Sequence, residues 1–384
     1  MKKTLAVLIS TMLLLSGCSS SNGSSDAVEK YGSDTLKLYN WGAYMGEDLI
    51  PDFEREFGVK VVVEYFNSNE EMYTKLQAGD SYDVLVPSDY MIERLVKENM
   101  LQELDKSMIP NLANLAEGVK NLPYDPDNTY SAPYFWGSVG IVYNSANVPS
   151  EKVEKEGYAI LQDTDYKGRI YMYDSERDSF MIALNNLGYS MNSSDDAEIQ
   201  AAYDWLSQIN NTMDPAYVTD EVIDNMVNGM KDLAVVYSGD AAYILSENED
   251  MRYFQPNEGT NIWSDGMVIP ANAKNPKLAN EFINYVLTYD ASYGNSEEVG
   301  YASSNQEVLD DMTAPGGLYE DNEAYLPRVG YAKDEVFVYN AEMVSKLAEL
   351  WLKVKRQKCF CSFFLKKCEK LLHFLIKFNI IDEQ

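Results

Sequence analysis

The chain has 384 residues, 61 of them acidic and 31 basic, for a formal net charge of −30; such a field repels nucleic acid and anionic lipid and attracts cations. Histidine occurs once, at His373, and no cysteine lies between Cys18 and Cys359. That excludes Ser-His-Asp and Cys-His catalysis, His-ligated zinc, a Cys-based metal site and a disulfide framework from the main body, and leaves carboxylates as the candidate acid–base groups.

Lys2 and Lys3 precede an apolar run over Leu5–Leu15, which ends in Ser16-Gly17-Cys18. A charged start, a short apolar core and small residues at a cleavage point make a secretory signal. The run is shorter than the roughly 20 residues that a membrane-spanning helix needs. A cysteine directly after the cleavage point is the bacterial lipoprotein pattern, in which the thiol of Cys18 takes a lipid. Residues 1–17 are therefore read as a signal peptide and 18–34 as a flexible tether, rich in Ser with Asn22 and Gly23. The expected location is extracytoplasmic, anchored to the cell membrane through Cys18, and periplasmic where an outer membrane exists.

Alternation predicts a strand over Thr35–Tyr39. Leu49, Ile50, Phe53 and Phe57 fall at helical spacing before Gly58, which suits the C′ position. Lys60–Phe66 reads as a strand. Ser68 or Asn69 caps a helix through Gln77, with Glu71 at capping-box spacing from Ser68. Tyr82–Val86 suits a strand covered on both faces, and Met91–Asn99 is helical. Strand and helix alternate, as in an α/β fold with a largely parallel sheet.

The pattern resumes with strands at Gly140–Tyr143, Arg169–Tyr173, Leu233–Tyr237 and Gly266–Ile269. Helices are predicted at Phe180–Leu187, Ala197–Asn210 and Pro276–Thr288. Two such blocks imply two lobes. Residues 35–140 with 266–310 are assigned to the first lobe and 141–265 with 311–355 to the second. Residues 356–384 differ in kind: apolar and basic residues crowd there with Cys359, Cys361 and Cys368, as in an appended tail.

In open α/β sheets, ligands sit beyond the carboxyl ends of strands. The aromatics Trp41, Tyr44, Tyr90, Trp136, Tyr237, Trp263 and Tyr301 recur at such places, flanked by Asp178, Asp240 and Asp265. Ring faces attract ammonium groups by about 0.5–2 kcal/mol each. Carboxylates add charge-assisted hydrogen bonds of roughly 1.5–3 kcal/mol. Rings and acids together suit a slender organic cation, although aromatic platforms also stack on sugars.

Leu36 to Lys355 resembles the spermidine/putrescine-binding proteins of bacterial ABC importers, which have the type II periplasmic-binding-protein fold. The resemblance is carried by Tyr39-Asn40-Trp41, Ser68-Asn69-Glu70, Asp83 to Tyr90, Pro133 to Gly137, Asp174 to Asp178, Tyr237 to Asp240, Trp263 to Asp265 and Gly300-Tyr301, in order and at matching spacing. It implies a two-lobed α/β protein, each lobe a mostly parallel sheet flanked by helices, closing on a ligand in the cleft between them.

The implied ligand-binding residues are Trp41, Tyr44, Ser88, Tyr90, Asp178, Tyr237, Trp263, Asp265 and Tyr301. Trp263, Asp265 and Asp178 are expected to hold one amine and part of the methylene chain. Two positions depart from the pattern: Gly42-Ala43 stands where some members carry Thr-Glu, and Ser175 stands where a second acid is usual. The implied partners are a linear polyamine and a membrane permease, with no cofactor, no metal, no catalysis and a monomeric state. The alternatives are a surface lipoprotein that cleaves glycans with two carboxylates such as Asp178 and Asp265, and a binding protein of the same fold for another small ligand.

Overall fold

The computed structural model describes residues 23–356; Cys18, the signal peptide and the tail from residue 357 onward lie outside the described residues. Ten strands form a curled sheet: β1 Thr35–Trp41, β2 Lys60–Phe66, β3 Val84–Leu85, β4 Ser131–Asn144, β5 Ile170–Tyr173, β6 Ala216–Val218, β7 Leu233–Tyr237, β8 Met251–Phe254, β9 Ile262–Val268 and β10 Ala302–Ser303. The strand order is β2-β1-β3-β9-β4-β7-β5-β6, with β10 and β8 also pairing to β4.

Each block holds the parallel set that strand–helix alternation implies, β2-β1-β3 in the first and β7-β5-β6 in the second. Where the blocks meet, the pairing is antiparallel, which alternation did not indicate. β4 is buried along all 14 residues. Its first half pairs with β9 from Ser131 to Ser138, and its second half pairs with β7 and β8 from Val139 to Asn144. A single strand therefore stitches the two lobes together and positions the residues at their seam.

Local rules set the first lobe. Leu49 and Phe53 turn inward on the helix Leu49–Phe57, which Gly58 ends with φ 67°. Ser68 caps the helix Asn69–Gln77, its hydroxyl accepting from the Glu71 backbone N–H at 3.1 Å. The Glu71 carboxylate reaches back one residue further than a capping box does, accepting from the backbone N–H of Asn67 at 3.0 Å. Tyr82–Val86 pairs only at Val84–Leu85, and β9 starts four residues before the predicted strand, at Ile262.

The expected flexible tether is corrected in part. Gly23–Tyr31 is a helix, and Ala27 and Tyr31, four residues apart, are buried in the core with Leu36 and Leu38. Near the other end, Tyr325 holds the first lobe: its hydroxyl lies 2.7 Å from Ser296 Oγ. The helix over 341–356 instead buries Met343, Leu347, Trp351 and Val354 in the second-lobe core. Between them a strap crosses the seam. Tyr339 N donates to Glu93 of the first lobe at 2.6 Å, and Val338 N donates to Asn192 of the second at 2.9 Å. Among the described residues, no helix is long and apolar enough to cross a membrane.

Candidate functional site

The first lobe presents the turn after β1. Asn40 accepts from Trp41 N at 2.9 Å and donates to Tyr44 O at 3.5 Å, folding the turn over itself, with Ala43 at φ 49°. Tyr134 Oη also donates to Tyr44 O, at 2.7 Å. So held, Tyr44 Oη donates to Asp265 Oδ2 at 2.8 Å. Asp265 lies on β9 beside Ser88, the two forming a short antiparallel bridge. Asn69 Nδ2 donates to Ser88 Oγ at 3.1 Å, so the helix capped by Ser68 also orients the site.

The second lobe contributes the first turn of the helix Glu176–Asn186. Its N-cap is Ser175, whose hydroxyl accepts from Asp178 N at 3.4 Å. The residue that departs from the family's acid thus has a structural use, and Asp178 sits where a helix N-terminus favours negative charge. Tyr237 Oη donates to Asp178 Oδ2 at 2.7 Å.

A chain of rings links these groups. Tyr237 lies edge-on to Trp263 at 6.1 Å, Trp263 to Tyr301 at 5.2 Å, and Tyr301 to Tyr44 at 5.7 Å. Tyr173 extends the wall, 4.7 Å from Tyr237. Tyr301 Oη donates to Asp240 Oδ1 at 2.9 Å. The Nε1 of Trp263 is a buried donor with no hydrogen-bond partner among the described residues.

The electrostatics set this region apart. Burial pushes the carboxyls of Asp265 and Asp240 up to about 6 and that of Asp89 to about 7. Hydrogen bonds from Ser88 and Tyr44 moderate the rise at Asp265, and the Tyr301 hydroxyl does so at Asp240. Burial likewise drives the Tyr44, Tyr237 and Tyr301 phenols well above their usual range, and the carboxylates beside them add to it. Among the described residues, the ion pairs do not include Asp89, Asp178, Asp240 or Asp265. Phenols, the Ser88 hydroxyl and backbone N–H groups are their hydrogen-bond partners. The cation at this seam is Arg177, whose guanidinium stacks on the Tyr90 ring at 3.4 Å and faces Phe337 at 5.2 Å.

The structure therefore gathers Tyr44, Ser88, Asp178, Tyr237, Trp263, Asp265 and Tyr301 into one connected set. Tyr90 joins through Arg177, its own hydroxyl donating to Glu70 Oε1 at 3.1 Å. Trp41 stands apart from the ring chain: its Nε1 donates to Val86 O at 2.8 Å and its ring packs on Phe66 at 4.4 Å. Trp136 is not part of the set, being buried with its Nε1 donating to Ser303 O at 3.0 Å. Sequence reasoning gave no role to Gly137 and Gly239. A Cβ at Gly137 would strike the Trp263 ring and Ser238 Oγ, and one at Gly239 would strike the Tyr301 ring. The two glycines are seats for the ring wall. No rule of local sequence reveals them, because the rings they accommodate come from distant segments.

Residues 48–327 match the family model of bacterial extracellular solute-binding proteins. The spermidine/putrescine-binding periplasmic protein of Escherichia coli (strain K12) is 36% identical over 301 residues, 76% of this chain and 84% of that one. A putative spermidine/putrescine ABC transporter from Listeria monocytogenes superimposes with a TM-score of 0.75 at 38% identity, covering 84% of this chain and 99% of that one. The spermidine/putrescine ABC transporter substrate-binding protein of Streptococcus pneumoniae, in complex with calcium and HEPES, gives 0.73 at 35% identity, covering 85% and 100%.

Proposed function

We propose that this chain, which belongs to the bacterial extracellular solute-binding protein family, captures a linear polyamine of the spermidine/putrescine class and delivers it to the permease of an ABC importer. One observation carries the reading: Asp178 and Asp265 are buried carboxylates that lie against a wall of Tyr237, Trp263, Tyr301 and Tyr44 and are neutralised by no ion pair among the described residues. A buried charge is costly until it is paired. An ammonium group supplies the pair, and the ring faces attract it while the methylenes cover apolar surface. Trp263, Asp178 and Asp265 hold one amine and the adjoining methylenes, with Ser88 and Tyr44 orienting Asp265.

Binding draws the lobes together across β4, β9 and the strap at 335–340, and the permease reads the closed shape. No bond is made or broken. The chain works as a monomer outside the cytoplasm, held to the membrane by lipid on Cys18.

The test is thermal. At a ligand concentration one hundred times Kd, binding stabilises the folded state by about 2.7 kcal/mol. Spermidine or putrescine should therefore raise the melting temperature of the purified chain by several degrees. No shift with either, together with a clear shift on adding maltose, overturns the assignment.

A further inference from the structure

We propose that the helix Gly23–Tyr31 is a leash, which holds the first lobe against the phospholipid surface at the end of its sheet remote from the ligand seam. This rests on the reading that Cys18 carries lipid. An isolated helix of nine residues is marginal in water, and this one persists because Ala27 and Tyr31 are buried in the first-lobe core with Leu36 and Leu38. Gly32 ends it at φ 82°, its N–H donating to Val28 O at 2.9 Å. Lys30 lies over the Tyr31 ring at 4.7 Å and 3.8 Å from Glu281, on the helix Pro276–Val286. The helix therefore belongs to the lobe, and the chain between Cys18 and the fold shrinks to the five steps that reach Gly23. At no more than about 3.6 Å each, these steps span about 18 Å in any conformation. Were the chain free up to Thr35, the limit would be about 60 Å.

A short leash selects the face as well as the distance. The helix hands over to the N-terminal end of β1, whereas Trp41 lies at its other end, about 20 Å further along at roughly 3.3 Å per residue. Asp83 marks the same pole. It accepts from the backbone N–H groups of Lys37, Lys274 and Asn275 at 2.9, 3.2 and 2.9 Å, and Asn275 Nδ2 donates to Thr35 O at 3.2 Å. Lys37, Lys274 and Lys277 are exposed there and enter none of the ion pairs among the described residues. Their ammonium groups suit headgroup phosphates, in a chain whose net charge of −30 otherwise repels an anionic surface. Held at this pole, the first lobe is the fixed partner in closure. The second lobe, on which Lys155 and Lys167 are exposed, is the one that swings.

The experiment is lysine footprinting. The lipidated full chain, anchored to phosphatidylcholine vesicles, and its unlipidated Cys18→Ser variant are methylated with formaldehyde and borohydride, and the rate at each lysine is read by mass spectrometry. The expected result is that Lys37, Lys274 and Lys277 react about threefold or more slowly on vesicles, as for a surface covered two-thirds of the time, while Lys155 and Lys167 react alike in both samples. Ala27→Glu, which forces the helix off the lobe, should abolish the protection. An insertion of about twelve Gly and Ser residues after Ser20 sets the limit near 60 Å without touching the fold, and should do the same. Equal rates on and off vesicles in a lipidated chain, or protection that survives both longer leashes, overturns the proposal while leaving polyamine capture intact. A purified chain whose mass shows no lipid on Cys18 overturns the anchoring reading, and the leash with it.

Discussion

Replacing Asp265 with Asn should weaken the ligand and strengthen the empty protein. Asp265 is 7% exposed, accepts from Tyr44 Oη at 2.8 Å and stands beside Ser88. Losing a charge-assisted hydrogen bond to an ammonium costs about 1.5–3 kcal/mol, or roughly a 10- to 150-fold rise in Kd. The stability effect has the opposite sign. Burial raises the folded-state carboxyl from 3.8 to about 6. Folding therefore favours the protonated form, and ionisation destabilises the empty protein. This penalty is absent below the unfolded value and complete above the folded one. Two pKa units correspond to about 3 kcal/mol at neutral pH, and Asn removes it. Thermal melts of the ligand-free variant at pH 7.5 should show a gain of roughly a few degrees that fades toward pH 4. Spermidine titrations on the same samples should show the loss of affinity. An Asn variant that melts lower at pH 7.5 and binds as tightly as the unmodified chain refutes the reasoning.

Acidification from pH 7.5 to 5 protonates Asp89 near 7 and Asp240 and Asp265 near 6. Polyamine affinity should fall across that range while these groups add to the stability of the empty protein; calorimetry showing a flat affinity would count against the site. Gly239→Ala pushes a Cβ into Tyr301, and its spermidine Kd should rise about tenfold or more for an effect of about 1.4 kcal/mol. Trp263→Ala should weaken binding by about 1 kcal/mol or more, the value of a ring face presented to an ammonium, and unchanged affinity would remove the indole from the site. Ser68→Ala should cost about 1 kcal/mol of stability in a denaturant titration through loss of the helix cap, with less effect on affinity than any change in the ring wall.

Parts of the fold governed by neighbours in sequence were legible in advance. Gly58 stops a helix by taking a left-handed conformation, and Ser68 starts one by accepting a hydrogen bond from three residues ahead. The extent of β4 was not legible: only Gly140–Tyr143 reads as a strand, because Pro133 and Gly137 interrupt the pattern of a segment covered on both faces. Its partners β7, β8 and β9 lie far along the chain, so the antiparallel seam leaves no local mark. The helix Gly23–Tyr31 was hidden among Ser and Gly residues that read as a tether.

The site shows the same limit. Tyr44 and Asp265 are 221 residues apart, and no periodicity connects them. Family resemblance named both. It gave no hint that Ser175, standing in place of an acid, caps the helix that carries Asp178. Asp240 was visible as a flanking charge, but its hydrogen bond to Tyr301 depends on a fold that brings residues 61 positions apart together.

Titration calorimetry of the purified chain against spermidine, putrescine, thiamine and maltose bears most directly on whether this seam holds an organic cation. A micromolar site corresponds to about −8 kcal/mol, and binding at least that tight, one molecule per chain, is expected for a polyamine and absent for maltose. Silence with both polyamines, and saturable heat with the neutral sugar, would contradict the account.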